Sequence, residues 1–252
     1  MSIAVTVWTE CGPDDAEAGA AYPEGMHNAI ADGLVPHDGL RVRTATMDQE
    51  EHGLGGTVLD GTDVLFWWGH KRHAEVRDAV VERVRDRVLE GMGLVLLHSS
   101  AESKVFRALL GTSGRISGWR HGDREVVWTV DVTHPIAAGV PQPMVIPEQE
   151  MYAEPFDIPA PDELVFLSSF AGGEVFRSGI TYRRGLGRIF YFSPGHEEYP
   201  VYRRQDVRTV LANAAFWAAG SVPGGGTGAA APRAVPRVPW TSEPREMGWY
   251  EQ

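Results

Sequence analysis

Four apolar runs, residues 3–8, 63–68, 94–97 and 187–193, leave this chain little choice of architecture, because hardly any of their positions is polar enough to face water. Runs of that kind, rich in Val, Ile, Leu and aromatic residues and without polar alternation, suit strands covered on both faces of a parallel sheet. Residues 40–46 add a strand with a Val/Thr bias. The intervals are helical. Over 22–34, Met26, Ile30 and Leu34 recur every four positions, and Pro23 fits a first turn whose N–H groups have no helical partner. Over 74–90, Val76, Val80, Val84 and Val88 form one stripe, which Gly91 and Gly93 stop. Strand and helix alternating in this order predict parallel pairing through right-handed crossovers. The expected fold is therefore α/β, with a doubly wound, mostly parallel, flavodoxin-like sheet.

Between residues 125 and 184 the pattern changes to shorter β runs at 126–130, 164–170 and 178–184. Pro141, Pro143, Pro147, Pro155, Pro159 and Pro161 interrupt the intervals, which predicts antiparallel additions and long loops. A closing helix is expected over 206–219, with Val207, Val210, Leu211, Ala214 and Trp217 on one side and Gly220 at its end. One domain over 1–220 follows. Residues 221–236 are mostly Gly, Ala and Pro, too poor in apolar side chains to pack alone. Trp240, Met247, Trp249 and Tyr250 come after them and are costly to leave in water, so 221–252 reads as a linker and an arm that docks on its own surface or on a neighbouring subunit. Together with the acidic charge, that arm makes a homo-oligomer the expectation.

A net charge of −11 repels phosphate backbones and anionic membranes, and no Lys/Arg stripe argues otherwise. Nucleic acid and membrane are thus not expected partners. Cys11 is the only cysteine, which forbids an intrachain disulfide and a thiolate-only metal site. The first ten residues lack the basic and long apolar regions of a secretory leader, and no run approaches about 18 apolar residues. The expected location is the cytoplasm.

Three of the nine histidines close apolar runs: DVLFWWGH ends on His70, GLVLLH on His98 and GRIFYFSPGH on His196. In an open α/β sheet the ligand crevice lies beyond the carboxyl ends of the strands, so such residues can converge. Imidazole binds divalent metals and moves protons near neutral pH. His70, His98 and His196 are accordingly candidate metal ligands, with zinc the expected ion. Glu10, after the first strand, is a candidate substrate contact. PEQEMYAE spaces Glu148, Glu150, Tyr152 and Glu154 by two; if extended, they share one face, and if looped, they are solvated decoration. Glu150 is read as ligand or general base, and Tyr152 or Glu154 as proton donor. Glu24 and His27, three apart on the first helix, are read as substrate-binding. Trp8 and Trp68, at strand ends, offer apolar faces for a sugar ring, although Trp67 and Trp68 point to opposite sides and one of them is expected in the core. His98, Ser99 and Ser100 sit where a nucleophile could stand, but G-x-S-x-G is absent, and so are both nucleotide-binding glycine motifs.

Taken together, WTE, YPEGMH, EHGL, WWGH, VLEGMGLVLLHS, THPI, EMY, GGEVFRSG, GRIFYFSPGHEEYP and NAAFWA resemble the ThuA trehalose-utilisation family over about residues 2–219. That resemblance implies a class I glutamine amidotransferase-like fold. It also implies a role in breaking down trehalose and related disaccharides, acting on 3-keto sugars supplied by a partner dehydrogenase. His98, Glu150, Tyr152 and His196 match the family pattern. Where amidotransferases carry a nucleophilic Cys, this chain has His98, Ser99 and Ser100, so glutamine hydrolysis is not expected.

Two function classes remain open from the sequence. One is a metal-dependent enzyme that polarises a keto-sugar carbonyl for isomerisation, elimination or hydrolysis. The other is a non-catalytic sugar-binding or assembly module on the same fold.

Overall fold

A strand that is apolar at every position needs cover on both sides, and the fold provides a separate core for each. The computed structural model describes residues 2–11 and 19–220. In chain order its elements are β1 (Ile3–Thr9), α1 (Met26–Leu34), β2 (Leu40–Thr46), α2 (Gly56–Asp60), β3 (Val64–Trp68), α3 (Asp78–Glu90), β4 (Gly93–Leu97), α4 (Lys104–Leu110), β5 (Gly118–Thr129), β6 (Met144–Ala153), β7 (Glu163–Phe170), β8 (Val175–Arg184), β9 (Gly187–Phe192) and α5 (Gln205–Ala218). Alternate residues of the buried strands go to opposite cores. Val5, Val7, Phe66, Trp68, Val95, Leu97, Phe190 and Phe192 meet Met26, Ile30 and Leu34 of α1 and Val207, Val210 and Leu211 of α5. Trp8, Leu65, Trp67, Leu94, Leu96, Ile189 and Tyr191 meet Val80, Val84 and Val88 of α3 and Phe106 of α4. Each fully buried aliphatic side chain contributes about 1.5–3 kcal/mol.

All nine strands form one sheet in the order β2-β1-β3-β4-β9-β8-β7-β5-β6. The expected mostly parallel, doubly wound sheet is corrected here to a large mixed sheet. Four pairings, among β2, β1, β3, β4 and β9, are parallel, and the four that follow through β8, β7, β5 and β6 are antiparallel. The reason is local. Beyond α4 no long helix intervenes until α5, so β5–β6, β7–β8 and β8–β9 turn back directly on one another, and only the β6–β7 connection passes across a strand, β5.

Two helices begin later than expected. Gly25 holds φ 86°, outside the helical region, so α1 starts at Met26 and leaves Pro23 ahead of it. Val76 is extended, with ψ 123°, and α3 starts at Asp78. The stretch over Glu148–Tyr152, open between strand and loop in the sequence, belongs to β6.

The antiparallel half curls. Strands lie about 4.8 Å apart, so a flat sheet would hold β6 about 24 Å from β4, five places away. Yet Tyr152 of β6 bonds His98 at the end of β4. Register shifts in β5 on either side of Asp123 mark where the bend is made, since bulges re-aim a strand. No helix among the described residues is long and apolar enough to cross a membrane. The expected linker and aromatic arm, 221–252, lie outside the described residues.

Candidate functional site

The carboxyl ends of β3, β4 and β9 deliver three imidazoles to one point. His70 and His98 have ring centroids 5.5 Å apart, His70 and His196 5.0 Å, and His98 and His196 5.3 Å. The curled β6 brings Glu150 and Tyr152 over them. His98 is fully buried and holds φ 55°, a left-handed backbone at the strand-to-helix corner that is uncommon for a residue with a side chain.

Hydrogen bonds fix the protons on two rings. The Ser193 carbonyl, 2.9 Å from His98 Nδ1, can only accept, so Nδ1 carries a proton, and in the neutral ring Nε2 keeps a lone pair. The Tyr152 phenol stands 2.8 Å from that Nε2, and Glu150 Oε2 3.0 Å from it. In the same way, Ser99 Oγ donates to the Gly69 carbonyl at 3.1 Å, so His70 Nδ1, 2.5 Å away, donates to Ser99 and leaves its Nε2 basic. His196 differs. Its Nδ1 accepts from the Glu198 N–H at 3.2 Å, which puts the neutral ring's proton on Nε2, 3.4 Å from Glu197 Oε2 and 3.9 Å from Glu150 Oε1.

Electrostatics sharpen the picture. Burial, with smaller contributions from neighbouring imidazoles, pushes His70 and His196 down to about 3, so both rings are neutral at pH 7. Burial opposes the charge on Glu150, but the surrounding imidazoles in their protonated form, His98 first and then His196 and His70, outweigh it and bring its carboxyl down to about 2. Tyr152 is raised well above 10, mainly by burial and then by Glu150, and keeps its proton. Burial also raises Glu197, against a hydrogen bond from Lys71, whose Nζ lies 3.1 Å from Oε1. Glu150 Oε2 and Glu197 Oε2 are both buried without a hydrogen-bond donor. An orphaned buried carboxylate oxygen is costly, and a cation is what satisfies it.

Three sets of donors cluster tightly enough for an ion: His70, His196 and Glu197; His98, Glu150 and His196; His121, His196 and Glu198. Within each, the ligand atoms lie within 4.8 Å of one another. Imidazole nitrogen with carboxylate oxygen is a donor set that zinc accepts.

Several expected substrate contacts sit elsewhere. Trp8 and Trp68 are both fully buried. Trp8 stacks on Trp67 with centroids 3.9 Å apart, and Trp68 Nε1 donates to the Gly195 carbonyl at 3.0 Å, so neither offers a face to a sugar. Two-sided cover of the parallel strands explains this. Glu10 accepts from the N–H groups of Lys71 (2.6 Å) and Arg72 (3.1 Å), so it shapes the loop that carries His70. Glu154 is paired with Arg177 at 2.7 Å and caps Phe156 N–H. Glu24 is exposed, and its carbonyl holds the Asn28 amide. His27 is buried against Gly25. No described interaction joins Glu24 or His27 to the cluster. Ser100 spends its hydroxyl on the Trp67 and Leu97 carbonyls, and Ser99 accepts from His70, so neither has a base to activate it.

The sequence reading missed Glu197, Glu198, His121 and Lys71. The doublet after His196 was a readable signal, since it follows a strand-end histidine directly. His121 was not readable, because the first half of β5 is polar and shows no strand pattern. A supporting chain was also missed: Gly195 N–H donates to Gln149 Oε1 at 3.1 Å, and Gln149 Nε2 and Ser168 Oγ donate to the buried Glu125. Gly195, at φ 136°, packs where a Cβ would lie 2.0 Å from Tyr202 Oη.

Comparison with known proteins adds the following. The family described as ThuA, trehalose utilisation, matches residues 4–218. Among curated proteins, none matches this sequence. A ThuA-like protein from Parabacteroides merdae has the same fold at TM-score 0.67 and 17% identity, over 88% of this chain and 92% of that one. Another, from Bacteroides uniformis, gives 0.62 and 16%, over 86% and 91%. PurLQS from Thermotoga maritima gives 0.53 and 11%, over 85% and 98%. At these identities the likeness is one of fold.

Proposed function

Because this chain belongs to the ThuA, trehalose-utilisation, family, we propose that it serves disaccharide breakdown as a metal-dependent enzyme on 3-keto sugars, with the histidine and glutamate cluster as its centre. One observation carries the reading. Imidazole nitrogens and buried carboxylate oxygens without donors gather around His196, His98 with Glu150 on one side and His70 with Glu197 on the other, and a cation would reconcile them.

Zinc or a similar ion there would be held by His98, Glu150 and His196 or by His70, His196 and Glu197. His196 joins as a ligand by moving its proton to Nδ1 and giving up the Glu198 N–H bond. Such an ion supplies polarisation of a substrate carbonyl, which acidifies the neighbouring C–H. The chain's own groups do the rest. Glu150, ionised beside His98, is placed to accept that proton. Tyr152, which stays protonated and bonds His98 Nε2 here, would hand its proton to a substrate oxygen when that nitrogen holds an ion. Glu10 holds the His70 loop in position. The cytoplasm, self-assembly and a dehydrogenase that makes the keto group belong to the same proposal.

Metal analysis of protein purified without chelator tests it. The expected result is near-stoichiometric metal in the wild type, with His98→Ala losing metal and turnover of a 3-keto disaccharide together. A wild type that holds no metal after zinc is added removes the proposal. His98→Ala that loses metal but still binds sugar with little change favours the binding-module reading.

A further inference from the structure

Trp8 and Trp68 are buried, so neither gives the centre an aromatic surface for the part of a sugar that does not react. Trp119 is 62% exposed. Exposure of a single tryptophan says little, but its position says more. It lies on β5 two residues before His121, so both side chains leave the strand on one face. Their rings are 5.2 Å apart at 82°. His121 in turn stands 5.0 Å from the His196 ring, and its Nε2 lies 3.8 Å from Glu150 Oε1. The β5–β6 register sets Trp119 opposite Tyr152, so Trp119 is on the face of the sheet that carries the centre.

The groups beside it suit hydroxyls. Glu198, exposed, lies 3.2 Å from His121 Nδ1. The Tyr199 phenol accepts the Gly122 N–H at 2.8 Å, which leaves its own proton to donate. An indole face flanked by a carboxylate, an imidazole and a phenol matches a pyranose, which has an apolar C–H face and a rim of hydroxyls.

We propose that Trp119 is the stacking platform of an outer carbohydrate subsite, which holds the second ring of a disaccharide whose first ring lies at the centre, with His121, Glu198 and Tyr199 as hydroxyl partners. This rests on reading the centre as a carbohydrate site. Calorimetry with trehalose and with methyl α-D-glucopyranoside tests it, using Trp119→Ala and Trp119→Phe at wild-type zinc content and melting temperature. Trp119→Ala is expected to weaken trehalose about tenfold, to leave the monosaccharide nearly unchanged, and to be largely rescued by Phe. Unchanged trehalose affinity, an equal loss for both sugars, or no binding of either by the wild type would overturn it. The two proposals fail separately. A wild type without zinc whose trehalose binding depends on Trp119 keeps the subsite and loses the metal, whereas a zinc-bearing protein indifferent to Trp119 does the reverse.

Discussion

The two halves of the sheet divide the labour. The parallel half, β2, β1, β3, β4 and β9, buries its strands in both cores and ends in His70, His98 and His196. The antiparallel half is more polar and bent, and it closes over the first half to add Glu150, Tyr152 and His121. Three strand-end imidazoles come from one and Glu150, Tyr152 and His121 from the other, while both halves fill the two cores. A site built across such a seam needs both halves held in register, which is what the Gly195–Gln149–Glu125–Ser168 chain does.

The sharpest way to break this comparison is through the core. Leu96→Ala, in a fully buried strand of the parallel half, should lower unfolding free energy by about 2–5 kcal/mol in urea titration. An equal loss from Val145→Ala, half-buried on edge strand β6, would remove the contrast. Next in size is Glu150→Gln. If the antiparallel half supplies chemistry rather than stability, this change should weaken zinc about 10- to 100-fold in competition titration while the melting temperature of the metal-free protein hardly moves. A large drop in that temperature would mean that Glu150 is structural.

A third effect is a pH dependence. Burial raises Glu125 from 4.5 to about 8, against its bonds from Ser168 and Gln149. The folded chain therefore binds a proton more tightly than the unfolded one, so this contribution to stability is complete below about pH 4.5, declines as pH rises to about 8, and is flat beyond. Glu125→Gln cannot ionise. Its melting temperature relative to wild type should rise between pH 5 and pH 8, and parallel curves for the two proteins would refute the assignment.

How much could be read in advance follows the same division. The parallel strands announced themselves because two-sided burial excludes polar residues, and strand-end histidines were therefore visible as His70, His98 and His196. The same two-sided burial hid the error over Trp8 and Trp68, since a sequence does not say which strand-end aromatic is covered. In the antiparallel half, β5 carries Trp119, Arg120, His121 and Asp123 with no apolar alternation, so only its end, the run at 126–130, read as a strand, and neither its first half nor His121 could be seen. Apart from the family resemblance, Glu150 and Tyr152 were legible only as residues two apart. Their partner, His98, depends on a curl that bulges create and that no local pattern encodes. The α4 helix was missed although Ser103 caps it, through a bond from Phe106 N–H, and Gly111 ends it.

Gly195 is gripped from three directions, by Gln149, Trp68 and Tyr202, so the ring that follows it has no room to swing away. Among the described residues His98, Glu150, His196 and Glu197 are buried, while Lys71, His121 and Glu198 are exposed. A ring pinned at its own backbone keeps one heading, so whatever comes to the cluster must adjust to it.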